Sequence, residues 1–300
     1  MTEHASCDEP GGGPAAGDHV PRPLPADDHV HSQWSWDADA GSMELTCARA
    51  VELGLPSIAF TEHFDVTTWV LPPGVTLPAR WASLVHGDRL TPPPLDVEGY
   101  AESLARCRAL FPSLRIRSGV ELSEPHRHEA PVRDVLRRGG FERVLASVHS
   151  APVEASGGFV EYSARYLDLD PADVVRDYLA ETVRLVEDFD GFEVLAHIDY
   201  PVRYWPTGGP AYDVTAFEDD YRAVLGALAR SGRALEVNTR IPLSVEVLRW
   251  WHDVGGDAIT FASDAHEPSL LAHGFAAAVA MAEATGFRPG RNPQELWGRA

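Results

Sequence analysis

The sequence predicts an α/β fold, a TIM-like barrel of seven β/α units, and three observations carry that expectation. Seven short β-branched or apolar runs alternate with seven helix-like stretches, the pattern of parallel strands flanked by helices. No glycine fingerprint of a nucleotide-binding crossover follows the first strand, which favours a closed barrel over an open doubly wound sheet. Residues able to bind metal recur where the strands end, and a parallel barrel gathers those ends at one mouth.

The expected strands are 26–31, 56–63, 114–122, 142–149, 192–199, 234–239 and 258–266. Helical spacing of apolar residues marks 43–54, 97–110, 128–139, 171–188, 215–231, 244–253 and 268–285 between them. In "SMELTCARAVELGL" the apolar positions recur every three or four residues and Gly54 stands near the end, a helix leading into a strand. "DPADVVRDYLAETVRLVEDF" opens with Asp170 as N-cap and Pro171 in the first turn.

Residues 1–25 are acidic and rich in glycine and proline, and read as a disordered tail before one barrel domain at 26–300. Long loops are expected near 66–97, with Trp69 and Trp81, and 151–170, with Phe159, Tyr162 and Tyr166. Such loops at a barrel mouth either choose the substrate or merely cover the rim. Hydrophobic content of 44% suffices for a core without disulfides, and three scattered cysteines (Cys7, Cys47, Cys107) fit a reducing cytoplasm. A net charge of −20 argues against long nucleic acid as a partner. No apolar run reaches the roughly 20 residues of a membrane span.

The chemistry lies at the strand ends: His29/His31, Glu62/His63, Glu121, His149, His197/Asp199 and Asp264/His266. Alternate strand residues share a face, so His29 and His31 can grip one ion. Singly, each histidine reads equally well as a hydrogen-bonded core residue, and Glu62 as a loop cap. Jointly, six of the 13 histidines converge on one rim, which separate accidents do not explain.

The ordered set "DDHVHSQWSWDAD", "GLPSIAFTEHFD", "GVELSEP", "LASVHS", "LAHIDYPVRY", "LEVNT" and "FASDAHEP" resembles the PHP (polymerase and histidinol phosphatase) family, most nearly its histidinol-phosphate phosphatase branch. The resemblance runs from residue 27 to about 268. It implies a distorted (β/α)7 barrel of the PHP type with a trinuclear metal centre. The implied ligands are His29, His31, His63, Glu121, His149, His197, Asp264 and His266. Imidazole and carboxylate without thiolate suit two or three divalent ions, zinc, manganese or iron.

The expected reaction is hydrolysis of a small phosphomonoester, histidinol phosphate foremost, by water activated between cations. Arg203, matching an arginine of the phosphatase branch, is the first phosphate clamp; Arg240 is the second, with a surface salt bridge as its alternative. Asp264 and His266 are expected at the reacting centre. Asp199 either donates a proton to the leaving group or orients His197. Asp37 and Asp65 are candidate outer groups, and Glu236 and Asn238 organise the sixth strand's end. His86, His126, His128, His252 and His273 fall outside the pattern. The alternatives are a nucleotide phosphodiesterase using the same centre and a metal-binding regulatory module without catalysis. The sequence leaves the oligomeric state open.

Overall fold

The structure, a computed structural model, describes residues 24–75, 77–153 and 158–300. The expected tail therefore lies outside the described residues up to position 23, and with it His4, Cys7 and His19.

Seven parallel strands lie side by side in chain order: β1 (Asp27–Val30), β2 (Ser57–Phe64), β3 (Arg115–Ser123), β4 (Arg143–Ser147), β5 (Val194–Leu195), β6 (Ala234–Asn238) and β7 (Ala258–Ala262). A helix follows each: α1 (Met43–Leu53), α2 (Val97–Leu110), α3 (Glu129–Gly139), α4 (Pro171–Asp188), α5 (Glu218–Ser231), α6 (Val245–Asp253) and α7 (Phe275–Ala284). Every residue of β2 is buried, as expected of a strand covered on both faces. Caps fix the helices locally: Ser42 accepts from the Leu45 amide, Asp170 from that of Ala172, and Gly54 closes α1 in the left-handed region (φ 70°). The helices pack apolar stripes on the strands, α4 through Val174, Tyr178, Leu179 and Leu185.

The barrel closes at one end only. At its C-terminal rim the His31 amide donates to Ala265 O and the Asp264 amide to His29 O, both at 2.9 Å, joining β1 to the chain leaving β7. At the other end the C-terminal strand Trp297–Arg299 runs antiparallel along the start of β7. The distortion of the barrel lies there.

Strands β4, β5 and β7 stop short of their expected ends, so His149, His197, Asp264 and His266 stand just past them. Side-chain carboxylates take over from the ladder at those points. Glu124 accepts from the His149 and Ser150 amides (2.5 and 2.8 Å), Glu236 from the His197 amide (3.0 Å) and Asp27 from the Ser263 amide (3.0 Å). Asp264 itself has φ 52°, a left-handed conformation costing about 1–2 kcal/mol in a non-glycine residue.

The two long loops also differ from expectation, because they pair with each other. Strands Val85–His86, Arg89–Leu90, Trp69–Val70, Gly158–Glu161 and Ser150–Val153 form a second, five-stranded sheet in that order. Trp69 lies beside Phe159 in it. Among the described residues no helix is long and apolar enough to cross a membrane.

Candidate metal centre

The register of the barrel strands assembles the site. His63 on β2 pairs directly with Glu121 on β3, so both side chains leave the sheet on the same face, and His63 Nδ1 lies 3.1 Å from Glu121 Oε2. Its neighbour Glu62 points the other way and accepts hydrogen bonds from Ser32 and Ser35.

Glu121 is the hub. Its Oε2 lies 3.2 Å from His29 Nε2 and 3.4 Å from His31 Nε2, and its Oε1 lies 3.3 Å from His149 Nε2 and 2.8 Å from His197 Nε2. Burial opposes its ionisation, but His29, His63 and His149 outweigh burial and hold the carboxyl well below the ordinary glutamate range. Asp264 closes the opposite side, its Oδ1 3.6 Å from both His31 Nε2 and His266 Nδ1. Burial is likewise outweighed there by Arg203, His29 and His266, and the Asp264 carboxyl is held well below its usual range.

The outward nitrogens of His29, His31 and His149 are already taken. His29 Nδ1 donates to Glu236 Oε2 (2.8 Å). The Ser35 hydroxyl donates to Glu62 (2.6 Å), so its oxygen accepts from His31 Nδ1 (2.8 Å). His149 Nδ1 bonds Ser123 Oγ (2.7 Å). His29, His31 and His149 therefore turn Nε2 inward, where His29 Nε2 and His31 Nε2 stand 3.0 Å apart, and those of His149 and His197 3.4 Å apart. Ring nitrogens this close around buried carboxylates need positive charge among them, as protons or as metal cations. The donor set fits divalent metal ions.

Among the described residues four overlapping groups have ligand atoms within 4.8 Å of one another: His31, His63 and His266; His29, His31 and Asp264; His63, Asp65 and His149; Glu121, His149 and His197. Every ligand expected from the sequence is in at least one of them. Asp65, expected only as an outer group, joins a group directly, and Trp36 donates to its Oδ2 at 2.6 Å. Asp37 touches His266 Nε2 (3.2 Å) and His63 Nε2 (3.5 Å).

Arg203 and Arg240 meet on Asp264. Arg203 Nη2 donates to Oδ2 at 2.6 Å, and Arg240 Nη1 lies 3.4 Å from Oδ1 and 3.0 Å from His266 Nδ1. Both face a cavity of about 680 Å³ whose floor is the histidine cluster. Asp199 stands apart: it lines a smaller cavity of about 220 Å³ with Tyr212 and Tyr221 and makes no ion pair with the histidines. Burial, opposed by Arg203, pushes its carboxyl up to about 6. Cys47 and Cys107 are buried and away from the site, and His126 and His128 bind Glu181 and Thr67.

The PHP domain pattern matches residues 27–240. The chain belongs to the PHP domain family. Asp264 and His266 lie beyond that match, just past the strand that closes this PHP barrel. The PHP chain is 26% identical over 249 residues to the histidinol-phosphatase of Lactococcus lactis, covering 80% of this chain and 83% of that one. It is also 26% identical over 256 residues to a Thermotoga maritima protein named "Probable histidinol-phosphatase", covering 83% and 87%. The crystal structure of the L. lactis histidinol phosphate phosphatase, complexed with zinc, L-histidinol and phosphate, superimposes with a TM-score of 0.73 at 22% identity, over 91% of this chain and 98% of that one.

Sequence reasoning missed Ser35, Ser123 and Glu124, and it named Glu62 as a strand-end group or loop cap and not as the acceptor that Ser32 and Ser35 bind. Their signal, a serine or carboxylate beside a strand-end histidine, takes on meaning only once the chain is folded.

Proposed function

We propose that this PHP protein hydrolyses L-histidinol phosphate to L-histidinol and phosphate at the histidine–carboxylate cluster. The observation that carries the reading is the cluster itself, inward-facing imidazole nitrogens around Glu121 and Asp264 with two arginines at its edge. The histidinol-phosphatase relatives, matched over most of their length, supply the substrate.

Two or three divalent ions, zinc, manganese or iron, held by His29, His31, His63, Glu121, His149, His197, Asp264 and His266, would activate water and neutralise charge on the phosphoryl group. Glu236, Ser35 and Ser123 hold the ring tautomers that make those nitrogens donors of electron pairs. Arg203 and Arg240 lie at the edge of the cluster, where guanidinium groups clamp phosphoryl oxygens bidentately. Asp264, kept ionised by Arg203, lies at the reacting centre opposite Glu121, where its charge would help hold the cations that activate the attacking water. The cavity encloses a small ester and offers no basic track for a long polyanion.

The test is phosphate release by manganese- or zinc-loaded protein from histidinol phosphate, other phosphomonoesters and nucleotide diesters. Preference for histidinol phosphate is expected. Cleavage of diesters alone would overturn the reading in favour of a nucleotide phosphodiesterase.

A further inference from the structure

The cavity above the cluster has two unlike walls. One is aromatic: Trp36 contacts Trp69 and Trp81, with ring centroids 5.7 and 4.8 Å apart. The other carries Glu161, at the end of Gly158–Glu161, and Tyr200. Tyr200 spans the gap between centre and wall. Its ring lies 5.0 Å from that of His149 and 5.2 Å from that of His197, and its hydroxyl donates to Glu161 Oε1 at 2.8 Å. The Ser163 amide (2.9 Å) and hydroxyl donate to Oε2.

Glu161 thus has three neutral donors and no cationic partner among the described residues. The arginines lining the same cavity are engaged elsewhere, Arg203 and Arg240 with Asp264 and Arg80 with Asp39. Burial raises the Glu161 carboxyl above its usual range against the hydrogen bonds of Ser163 and Tyr200 and the weaker pull of His149, the state of a carboxylate without an ion-pair partner. A carboxylate in a half-enclosed pocket without a counter-charge favours a cationic ligand.

We propose that Glu161, positioned by Tyr200 and Ser163, determines specificity by accepting a primary ammonium group borne by the alcohol part of the ester, next to the carbon that carries the phosphorylated oxygen. The phosphoryl group would then sit on the cluster, the ammonium against Glu161 and a ring substituent against the tryptophan wall. The inference rests on the phosphomonoester reading and adds the group that selects among such esters.

The experiment compares kcat/KM for histidinol phosphate with that for its amine-free counterpart, 3-(imidazol-4-yl)propyl phosphate, in wild type, Glu161→Gln and Glu161→Asp. The ratio of the two values within one preparation is independent of the folded fraction. Loss of a charge-assisted contact should lower that ratio about 10- to 100-fold in Glu161→Gln, chiefly through KM, with partial recovery in Glu161→Asp. An unchanged ratio in Glu161→Gln would overturn the proposal, whatever happens to absolute rates. If wild type cleaves neither ester but does cleave p-nitrophenyl phosphate, the histidinol phosphate reading fails. The same ratio, taken for 2-aminoethyl phosphate over ethyl phosphate, then decides Glu161 alone: a fall in Glu161→Gln supports it and an unchanged ratio overturns it.

Discussion

The two ends of this barrel both bury charged groups and settle them in opposite ways. At the N-terminal end, Asp28 accepts from Arg117 (3.2 Å) and Arg143 (3.4 Å), and Arg143 also reaches Glu193 (2.9 Å). Asp28 and Glu193 there have guanidinium partners, while Asp27 is held by the Ser263 and Ala272 amides and burial pushes its carboxyl up to about 7. At the C-terminal mouth, six histidines face Glu121, Asp264, Asp37 and Asp65, and both arginines lean on Asp264 alone. The arginines at the bottom pair with carboxylates of the chain itself; the mouth holds clustered imidazole and carboxylate donors in excess of its two arginines, the composition that added cations complete. Burying charge is therefore stabilising architecture at one end and a binding site at the other.

The contrast breaks most sharply at Glu121. Glu121→Ala should lower bound metal, measured by inductively coupled plasma mass spectrometry, and reduce kcat/KM on the order of 10³-fold or more. Glu236→Gln weakens the outer support of His29 without touching an ion, and metal affinity or activity should fall about 10- to 100-fold. At the other end, Arg143→Met leaves Asp28 with Arg117 alone; unfolding in urea should show a loss of about 1–3 kcal/mol, with kcat/KM of the folded enzyme unchanged. A drop in metal content in Arg143→Met would erase the distinction between the ends.

The smallest effect concerns Glu181, packed against His126 and Arg127 outside the barrel. Burial opposes ionisation, but hydrogen bonds from His126 and Arg127 hold the carboxyl down to about 2. As pH falls below the ordinary glutamate value, the unfolded chain takes up the proton first. The contribution is therefore complete above about pH 5 and disappears as pH falls toward 2, and after solvent screening it amounts to about 1–2 kcal/mol. Melting curves of wild type and Glu181→Gln should differ at neutral pH and converge in acid; a constant gap would contradict this.

The clustering of the candidate metal donors was legible in the sequence because a strand's period of two places His29 with His31, and because parallel strands end at one rim. The helices were legible through apolar spacing and caps such as Asp170–Pro171. Other features depend on contacts distant in sequence. Glu236 reaches His29 across the barrel, and Glu62 and His63, adjacent in sequence, serve opposite faces of β2. Asp199 follows His197 by two residues, yet the turn after β5 directs it into a separate cavity. The small sheet over the mouth joins Trp69 to Phe159, and no local pattern in either loop announces that pairing. Glu161 comes into view only with that sheet.

The most direct test of the central claim couples two readings on one sample: metal content, and phosphate release from histidinol phosphate, before chelation, after it and after adding zinc or manganese back. Two or three equivalents of divalent metal, with activity lost and regained in step with them, is the predicted result. Full turnover by metal-free protein would contradict it.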